Sequence, residues 1–200
     1  MSCDRLPPVG VVLAGGGGLR MGGSKLTVQL RGRALLSYPL EAVRAALGEV
    51  HVITKPDIEL PQLLGVTVWI EPSEPRHPLV GIVEALGLAG GRSVLICAGD
   101  LPFVSPQLIR RLAEADGGEA PVVIAAHAGV GQPLVGRYEP EAGPLLAAAA
   151  RIATTPVSEA VAAIHPRLLE VGDPDELFKV DEPNDLLLAA AMLDQPKVKS

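Results

Sequence analysis

The sequence has few aromatic residues and few cysteines. Among its 200 residues are one Trp, two Tyr, two Phe and two cysteines, Cys3 and Cys97. So few rings cannot form a platform on which nucleic-acid bases stack. Two cysteines form no disulfide framework, and no CxxC pair indicates a zinc site. The hydrophobic core must therefore consist mainly of Ala, Val, Leu and Ile.

Positive net charge and long apolar runs are also absent. The chain has 17 basic and 23 acidic residues, a formal net charge of −6. Nucleic-acid-binding proteins usually carry a basic face, so we expect no nucleic-acid partner. No apolar run approaches the roughly 20 residues of a membrane span, and the first residues lack the pattern of a signal peptide. We therefore expect no membrane partner and a cytoplasmic location.

Short apolar runs alternate with longer segments rich in Ala and Leu. Consecutive apolar positions are typical of strands buried on both faces of a parallel sheet. The predicted strands cover residues 9–14, 50–54, 66–70, 94–98 and 122–126. The predicted helices cover residues 34–47, 79–89 and 106–115, the last with Ser105 as its N-cap. This order predicts an α/β fold of three layers, with helices on both faces of a mostly parallel, doubly wound, Rossmann-like sheet.

The alternation becomes less regular after residue 127. Residues 127–132 are predicted as a turn and residues 133–138 as a strand. Helices are predicted over 139–150 and 156–164, short strands over 168–171 and 178–180, and a last helix over 185–193. No linker divides the chain, so we expect one domain over residues 1–193 and a flexible tail over 194–200.

A glycine-rich segment directly follows the first predicted strand. It reads LAGGGGLRMGGSK from Leu13 to Lys25 and holds six of the 22 glycines. Glycines let the backbone turn tightly and present N–H groups to an anion at close range. Arg20 and Lys25 add two positive charges whose only obvious partner is the same anion. We therefore predict a phosphate-binding loop, with a merely flexible surface loop as the alternative. The loop is not a Walker A motif, because Leu26 follows Lys25.

This segment resembles the LAGGxxxRMGxxK signature of nucleotidyltransferases, and specifically that of the molybdenum cofactor guanylyltransferase (MobA) family. Four further segments resemble motifs of that family in the same order. They are PLVGI at 78–82, GDLPF at 99–103, QPLVGRY at 132–138 and VDEPNDL at 180–186. The resemblance implies a fold of the nucleotide-diphospho-sugar transferase type.

The resemblance also implies a reaction. GMP would pass from GTP to the phosphate of molybdopterin, with release of pyrophosphate and with Mg²⁺ as cofactor, in the synthesis of molybdopterin guanine dinucleotide. Transient contacts with other cofactor-synthesis proteins are compatible with this activity. A phosphate monoester has a second pKa of about 6, so the acceptor is largely dianionic at neutral pH and needs no general base. In agreement, the four histidines are scattered and form no triad-like pattern with serine.

Roles for individual residues follow from the same resemblance. It implies that Arg20, Lys25 and Asp100 are catalytic and that Asp100 holds the metal, with the carboxylate of Asp181 as the candidate second metal ligand. Its nucleotide-binding set comprises Leu13, Ala14, Gly15, Gly16, Gly17, Arg20, Lys25, Gly81 and Asp100. Asp100 follows a buried strand, where α/β sheets place their ligand sites, although a turn role is the simpler alternative. Asp181 stands where the family usually has Asn, and it is equally placed to cap the last helix.

Base selection is the point at which the sequence departs from the family pattern. The AGG of the loop favours GTP, because cytidylyl relatives have LAAG. However, the guanine-contacting Asp after the third strand would fall at Pro72, with Glu71 or Glu74 as neighbouring substitutes. Two other departures are Ser24, in place of the Asp before the motif Lys, and Ile53 or Thr54, in place of an Asn.

Two other functions stay open at this stage. One is a CTP-using molybdopterin cytidylyltransferase or another small sugar-phosphate nucleotidyltransferase. The other is a non-catalytic nucleotide-binding protein of the same fold, against which the presence of Arg20, Lys25 and Asp100 argues. We expect the pterin to bind between the strand over 132–138 and the segment near Asp181. His77 is interpreted as a solvated loop residue rather than a substrate contact.

Overall fold

The computed structural model describes residues 6–15, 25–152 and 154–194, which form nine strands and six helices within those ranges. The strands are β1 (Val9–Leu13), β2 (Gln29–Leu30), β3 (Arg33–Ala34), β4 (Val50–Thr54), β5 (Thr67–Ile70), β6 (Val94–Ala98), β7 (Val122–His127), β8 (Val130–Tyr138) and β9 (Arg167–Glu170). The helices are α1 (Ser37–Ala46), α2 (Pro78–Leu88), α3 (Pro106–Glu114), α4 (Ala142–Ile152), α5 (Val157–Ala162) and α6 (Pro183–Asp194). None of these described helices has the length and apolar character needed to cross a membrane.

Seven of the strands form one sheet in the order β5-β4-β1-β6-β8-β7-β9. Neighbouring strands run parallel except β8, which is antiparallel to both β6 and β7. Strands β2 and β3 form a separate hairpin. The predicted α/β class with a mostly parallel sheet is therefore confirmed.

Helices cover both faces of this sheet, which confirms the three predicted layers. Successive residues of a strand point to opposite faces. Accordingly, Val12 of β1 packs into the apolar cluster that contains α1 and α3, whereas Val11 packs into the cluster that contains α2, α4 and α5. Both clusters exclude water, and this explains why the central strands are apolar at consecutive positions.

Strands β4 and β5, which follow β1 in the chain, lie on one side of β1 in the sheet, and β6 lies on its other side. Helix α1 lies on the path from β1 to β4, and α2 lies on the path from β5 to β6. Where such connections diverge, the carboxyl ends of the two strands border a crevice that binds ligands in open α/β sheets. At this point the Gly99 N–H donates a 3.0 Å hydrogen bond to the carbonyl of Leu13.

Most predicted elements are confirmed with small changes in their bounds. Ser105 caps α3, because its hydroxyl accepts a 3.1 Å hydrogen bond from the Leu108 N–H. The turn predicted over 127–132 is shorter than expected. It consists of Ala128 and Gly129, with φ angles of 50° and 77°, which are typical of a tight two-residue hairpin turn. Helix α1 begins three residues later than predicted, because Arg33 and Ala34 belong to the β2–β3 hairpin.

Three predictions about the elements are wrong. Strand β5 is not buried on both faces: it is an edge strand, and Val68 and Ile70 are 39% and 54% exposed. Residues 178–180 form no strand, since they follow a short 3-10 turn at Pro174–Leu177 and Val180 contacts Asp100 instead. Asp194 belongs to α6 rather than to a tail, and residues 195–200 lie outside the described part of the chain.

Candidate active site

A cavity of about 310 Å³ lies at the carboxyl ends of β1 and β6. Polar and charged side chains from distant parts of the chain line it together with glycines and a few apolar residues. The lining residues are Leu13, Gly15, Lys25, Leu26, Glu71, Arg76, His77, Pro78, Gly81, Ala98, Gly99, Asp100, Leu134, Lys179 and Asp181. The cavity therefore occupies the position at which sheets of this topology bind ligands.

Lys25 joins the two acidic residues that were predicted as metal ligands. Its Nζ lies 2.8 Å from Oδ2 of Asp100 and 2.7 Å from Oδ1 of Asp181, and the residue is only 8% exposed. Lys179 lies at the same carboxylates, with its Nζ 3.1 Å from Asp181 and 3.7 Å from Asp100. The expectation that an anion is the only partner of Lys25 is thus wrong, since two carboxylates share its charge.

Backbone contacts place these four side chains next to one another. Asp100 follows β6 through Gly99, where a Cβ would lie 2.9 Å from the Leu13 carbonyl oxygen, so only glycine fits there. The Val180 N–H donates a 3.0 Å hydrogen bond to the Asp100 carbonyl and brings the segment before α6 to the end of β6. Residues far apart in the sequence therefore share one site.

The Asp181 carboxylate does not cap α6. At the start of the helix the Asp185 carboxylate accepts the backbone hydrogen bonds instead: its Oδ2 lies 2.8 Å from the Asp181 N and 2.9 Å from the Glu182 N, as the acid of a capping box does. Burial opposes ionisation of Asp181, but the hydrogen bonds from Lys25 and Lys179 outweigh burial and lower its pKa. Asp181 is therefore an ionised group of the cavity.

Asp100 and Asp181 offer carboxylate oxygens, which are the ligands that hard divalent cations prefer. Oδ1 of Asp100 is buried and has no hydrogen-bond partner among the described residues, so it is available as a ligand. The described residues contain no group of three His, Cys, Asp or Glu that would enclose a metal on their own. Mg²⁺ is usually held by one or two carboxylates together with water and substrate phosphates, so two carboxylates suffice.

Glu71 forms the other polar end of the cavity. It directly follows β5, is 5% exposed, and its Oε2 atom has no hydrogen-bond partner in the described part of the structure. Burial is the largest influence on its carboxyl and raises its pKa, although attraction to Lys55 opposes that effect. The unpartnered oxygen of a buried acid points to a ligand group that donates a hydrogen bond.

Two predicted glycines provide the space for Glu71. A Cβ at Gly15 would collide with Oε1 of Glu71, and a Cβ at Gly81 would lie 3.0 Å from Oε2. Gly15 follows β1 and Gly81 lies in α2, so the carboxylate is enclosed between the loop and the helix. Gly15 and Gly81 therefore leave room for the Glu71 carboxylate, in addition to any space that a bound phosphate needs.

The predicted site residues occupy different positions relative to the cavity. Of the predicted set, those that line it are Leu13, Gly15, Lys25, Gly81, Asp100 and Asp181. Ala14 lies beneath it with its methyl group in the apolar core. Arg20, Gly16 and Gly17 lie outside the described residues, as does most of the glycine-rich segment.

His77 has a different role from the predicted one, and Glu74 lies away from the cavity. His77 is not a solvated loop residue: its Nδ1 accepts a 3.3 Å hydrogen bond from the Leu79 N–H and caps α2. Burial lowers the pKa of His77, which keeps the ring neutral and able to accept. Glu74 is exposed and pairs with Arg76, so Glu71 alone of the two named substitutes reaches the cavity as a buried acid.

Sequence reasoning did not identify Lys55 and Lys179. Lys55 directly follows β4 and is 1% exposed, which is rare for lysine unless the ammonium is paired. Lys179 stands two residues before Asp181, and in an extended segment side chains two residues apart lie on the same side. The spacing from Asp181 was thus a usable signal for Lys179, whereas the partners of Lys55 become visible only in the fold.

The chain is similar in sequence and in fold to known proteins. Residues 10–164 match the sequence model of the family described as MobA-like NTP transferase domain. A relative from Cereibacter sphaeroides, named molybdenum cofactor guanylyltransferase, is 31% identical over 195 residues, which cover 92% of this chain and 96% of the relative. A Geobacillus protein named probable molybdenum cofactor guanylyltransferase is 27% identical over 133 residues, covering 64% of this chain and 68% of that protein.

Coverage differs among the curated relatives, and the chain spans about half the length of several others of the same name. Among solved structures, molybdopterin-guanine dinucleotide biosynthesis protein A from Archaeoglobus fulgidus superposes with a TM-score of 0.75 at 21% identity. The superposition covers 92% of this chain and 97% of that one. This structural likeness establishes a common fold.

Proposed function

The chain belongs to the MobA-like NTP transferase family, and we propose that it transfers GMP from GTP to the phosphate of molybdopterin, releasing pyrophosphate. The relatives that carry the name molybdenum cofactor guanylyltransferase support this choice of substrates. We place the reaction in the cytoplasm, the location that the sequence predicts.

The observation that carries the proposal is the group formed by Lys25, Asp100, Asp181 and Lys179 at the carboxyl ends of β1 and β6. It combines two carboxylates for a cation with two ammonium groups for phosphate oxygens. Nucleotidyl transfer needs both, because negative charge on the triphosphate repels an anionic acceptor. The glycine-rich segment that begins at Gly15 adds backbone N–H groups as a predicted third source of positive potential.

The reaction balances without a protein base. An oxygen of the acceptor phosphate forms a bond to the α-phosphorus of GTP, and the bond from that phosphorus to the bridging oxygen breaks. Pyrophosphate leaves with the electron pair of the broken bond. At neutral pH the acceptor monoester is largely dianionic and already carries the attacking electron pair. The protein therefore contributes positioning and charge neutralisation.

Members of NTP transferase families generally use divalent metal ions, and we propose Mg²⁺ held by Asp100 and Asp181. When bound, such an ion neutralises phosphate charge. Lys25 is fixed between the two carboxylates and presents its ammonium to the nucleotide from the buried side, while Lys179 is more exposed. Arg20, Gly16 and Gly17 keep their predicted nucleotide contacts as part of this proposal.

Glu71 is the residue that we propose for recognition of guanine. Guanine presents two neighbouring donors, N1–H and the 2-amino group, and a carboxylate accepts both. Glu71 lines the cavity with a buried Oε2 that lacks a partner among the described residues. It directly follows β5 and its carboxylate lies between Gly15 and Gly81, whereas Asp100 follows β6. In this proposal Glu71 provides the carboxylate that the family pattern has one residue later, at the position of Pro72.

The test is turnover with four nucleotides. The protein is incubated with molybdopterin, Mg²⁺ and GTP, CTP, ATP or UTP, and both pyrophosphate and the dinucleotide are measured. GTP should give the dinucleotide at the highest rate, and Asp100→Asn should reduce that rate while the exposed control Asp175→Asn leaves it unchanged. Preferential use of CTP would replace guanylyl by cytidylyl transfer, and no product with any nucleotide would contradict the enzyme proposal.

A further inference from the structure

Lys55 is buried next to the cavity but is not among the residues that line it. We propose that Lys55 is a positioning residue that sets base selection through the Glu71 carboxylate. This inference rests on the proposed function, because it assumes that Glu71 contacts the base. It assigns the discrimination between guanine and other bases to a lysine that touches no substrate.

Three oxygen atoms surround the Lys55 ammonium. Its Nζ donates hydrogen bonds of 2.7 Å to the carbonyl of Pro72 and 3.2 Å to the carbonyl of Pro75. Oε1 of Glu71 lies 3.5 Å from the same Nζ. An ammonium group has three N–H donors, and the two hydrogen bonds to carbonyls leave the third for the Glu71 carboxylate, with which Lys55 forms an ion pair. The arrangement connects the end of β4 with the segment that follows β5.

Burial makes this arrangement specific. An ammonium removed from water is tolerated only where charge and hydrogen bonds compensate the lost hydration. Of the three oxygen atoms, only that of Glu71 belongs to an acidic side chain, so it is the one that compensates the charge of the ammonium. Lys55 therefore holds the Oε1 side of the Glu71 carboxylate, while Oε2 has no hydrogen-bond partner among the described residues.

The backbone contacts extend this control beyond Glu71 itself. The Glu71 N–H donates a 2.9 Å hydrogen bond to the Thr54 carbonyl, directly before Lys55. Pro72 and Pro75 are held by the ammonium, and the same segment continues to His77 at the start of α2. Loss of the Lys55 ammonium would free both the Glu71 carboxylate and the segment that leads to His77. The group formed by Lys25, Asp100, Asp181 and Lys179 would stay unchanged.

Base selectivity distinguishes this role from a merely structural one. Inosine triphosphate keeps N1–H but lacks the 2-amino group of GTP, so the ratio of the two affinities reports the fixed carboxylate. One hydrogen bond to a charged group contributes about 1.5–3 kcal/mol, so we expect the unsubstituted protein to prefer GTP by about tenfold or more. Lys55→Met, which keeps the length of the stem, should reduce that preference to about twofold.

The experiment compares Lys55→Met, Glu71→Gln and the double variant by calorimetric titration with GTP, ITP and CTP. If Lys55 acts through Glu71, the double variant should bind GTP no more weakly than Glu71→Gln alone. Arg110→Met, which removes an exposed positive charge from α3, should keep the full preference. Should Lys55→Met not fold, Lys55→Arg serves instead, because its larger planar head does not match three acceptors placed for an ammonium and the same loss is expected.

The possible results separate the two proposals. An unsubstituted protein that does not prefer GTP to CTP contradicts the proposed function. A protein that prefers GTP, and keeps its GTP-over-ITP preference after substitution of Lys55, overturns the inference and leaves the proposed function standing. Additive losses in the double variant also overturn it, because Lys55 would then act independently of Glu71.

Discussion

Among single residues, those that surround the Glu71 carboxylate determine where this proposed guanine-binding group lies in the cavity. Gly15 and Gly81 enclose this carboxylate, and a side chain at either position would press on one of its oxygen atoms. Because Glu71 is buried and held by Lys55, it has little freedom to move aside. A single methyl group at Gly15 therefore changes the position of the acid.

We predict that Gly15→Ala weakens GTP binding by about tenfold or more, since the added Cβ displaces Oε1 of Glu71. Gly48→Ala is the matched control, because no atom lies within 4 Å of a Cβ at Gly48. Titration calorimetry measures both affinities. Equal affinities in the two variants would show that Glu71 tolerates the methyl group.

Protonation of Glu71 should make guanine binding depend on pH. Burial raises the pKa of this carboxyl above the ordinary 4.5, with a smaller contribution from Glu84 and an opposing one from Lys55. GTP needs the carboxylate form, so its affinity should fall as the pH decreases through the raised pKa, in a window above pH 4.5. Glu71→Gln should bind more weakly and lose this component, and an unchanged pH profile in that variant would argue against the assignment.

The sequence predicts the group around Asp100 better than it predicts the surroundings of Glu71. Lys25, Asp100 and Asp181 belong to recognisable motifs, and the structure brings all three together. The pairing of Lys55 with Glu71 joins residues that follow two adjacent parallel strands. Such pairing depends on strand order, which local sequence patterns do not specify.

At the scale of elements, the start of α6 sets the position of Asp181. The Asp185 carboxylate accepts hydrogen bonds from two backbone N–H groups before the helix, so the Asp181 side chain is directed to Lys25 rather than to the helix end. Capping and site formation are therefore divided between two acids four residues apart.

We predict that Asp185→Ala lowers the free energy of unfolding by about 1 kcal/mol, a typical value for loss of a helix cap. In a chain of this length the melting temperature should fall by about 2–4 °C. The variant should also turn over more slowly, because Asp181 loses its fixed backbone. Asp175→Ala, an exposed acid in the neighbouring turn, is the control, and an equal change in both variants would contradict the capping role.

The sequence predicts the element types well for strands that have a neighbouring strand on both sides. Strands β4 and β6 agree with the predicted bounds, because both are covered by neighbouring strands and helices. The prediction that β5 is buried on both faces is wrong, because an apolar run at a sheet edge has the same sequence pattern as one in the centre. The sequence of residues 178–180 resembles a strand, yet a single backbone hydrogen bond to Asp100 takes the place of strand pairing there.

At the scale of the whole molecule, one sheet joins strands from position 9 to position 170. Because each face of this sheet is covered by helices from different parts of the chain, we propose that the chain forms one cooperative unit, as expected for a single domain over residues 1–193. Scanning calorimetry should show one unfolding transition with equal calorimetric and van't Hoff enthalpies. Two separate transitions would contradict the single domain.

Ligand binding should stabilise this unit in a base-dependent manner. GTP with Mg²⁺ at about one hundred times its Kd should add about 2.7 kcal/mol to the free energy of unfolding. For a chain of this size that corresponds to a rise in melting temperature of about 5–10 °C. CTP at the same concentration should raise it less, and an equal or larger rise with CTP would argue against guanine selection by Glu71.

If the α-phosphate of GTP is transferred to an acceptor phosphate, the position of an isotope label in the products reveals that transfer. With molybdopterin and Mg²⁺ present, label in the α-phosphate of GTP should appear in the dinucleotide, and label in the γ-phosphate should appear only in pyrophosphate. The Asp100→Asn variant should lose both signals together. Label from the γ-phosphate in the pterin product, or label released only as free GMP or inorganic phosphate, would contradict nucleotidyl transfer.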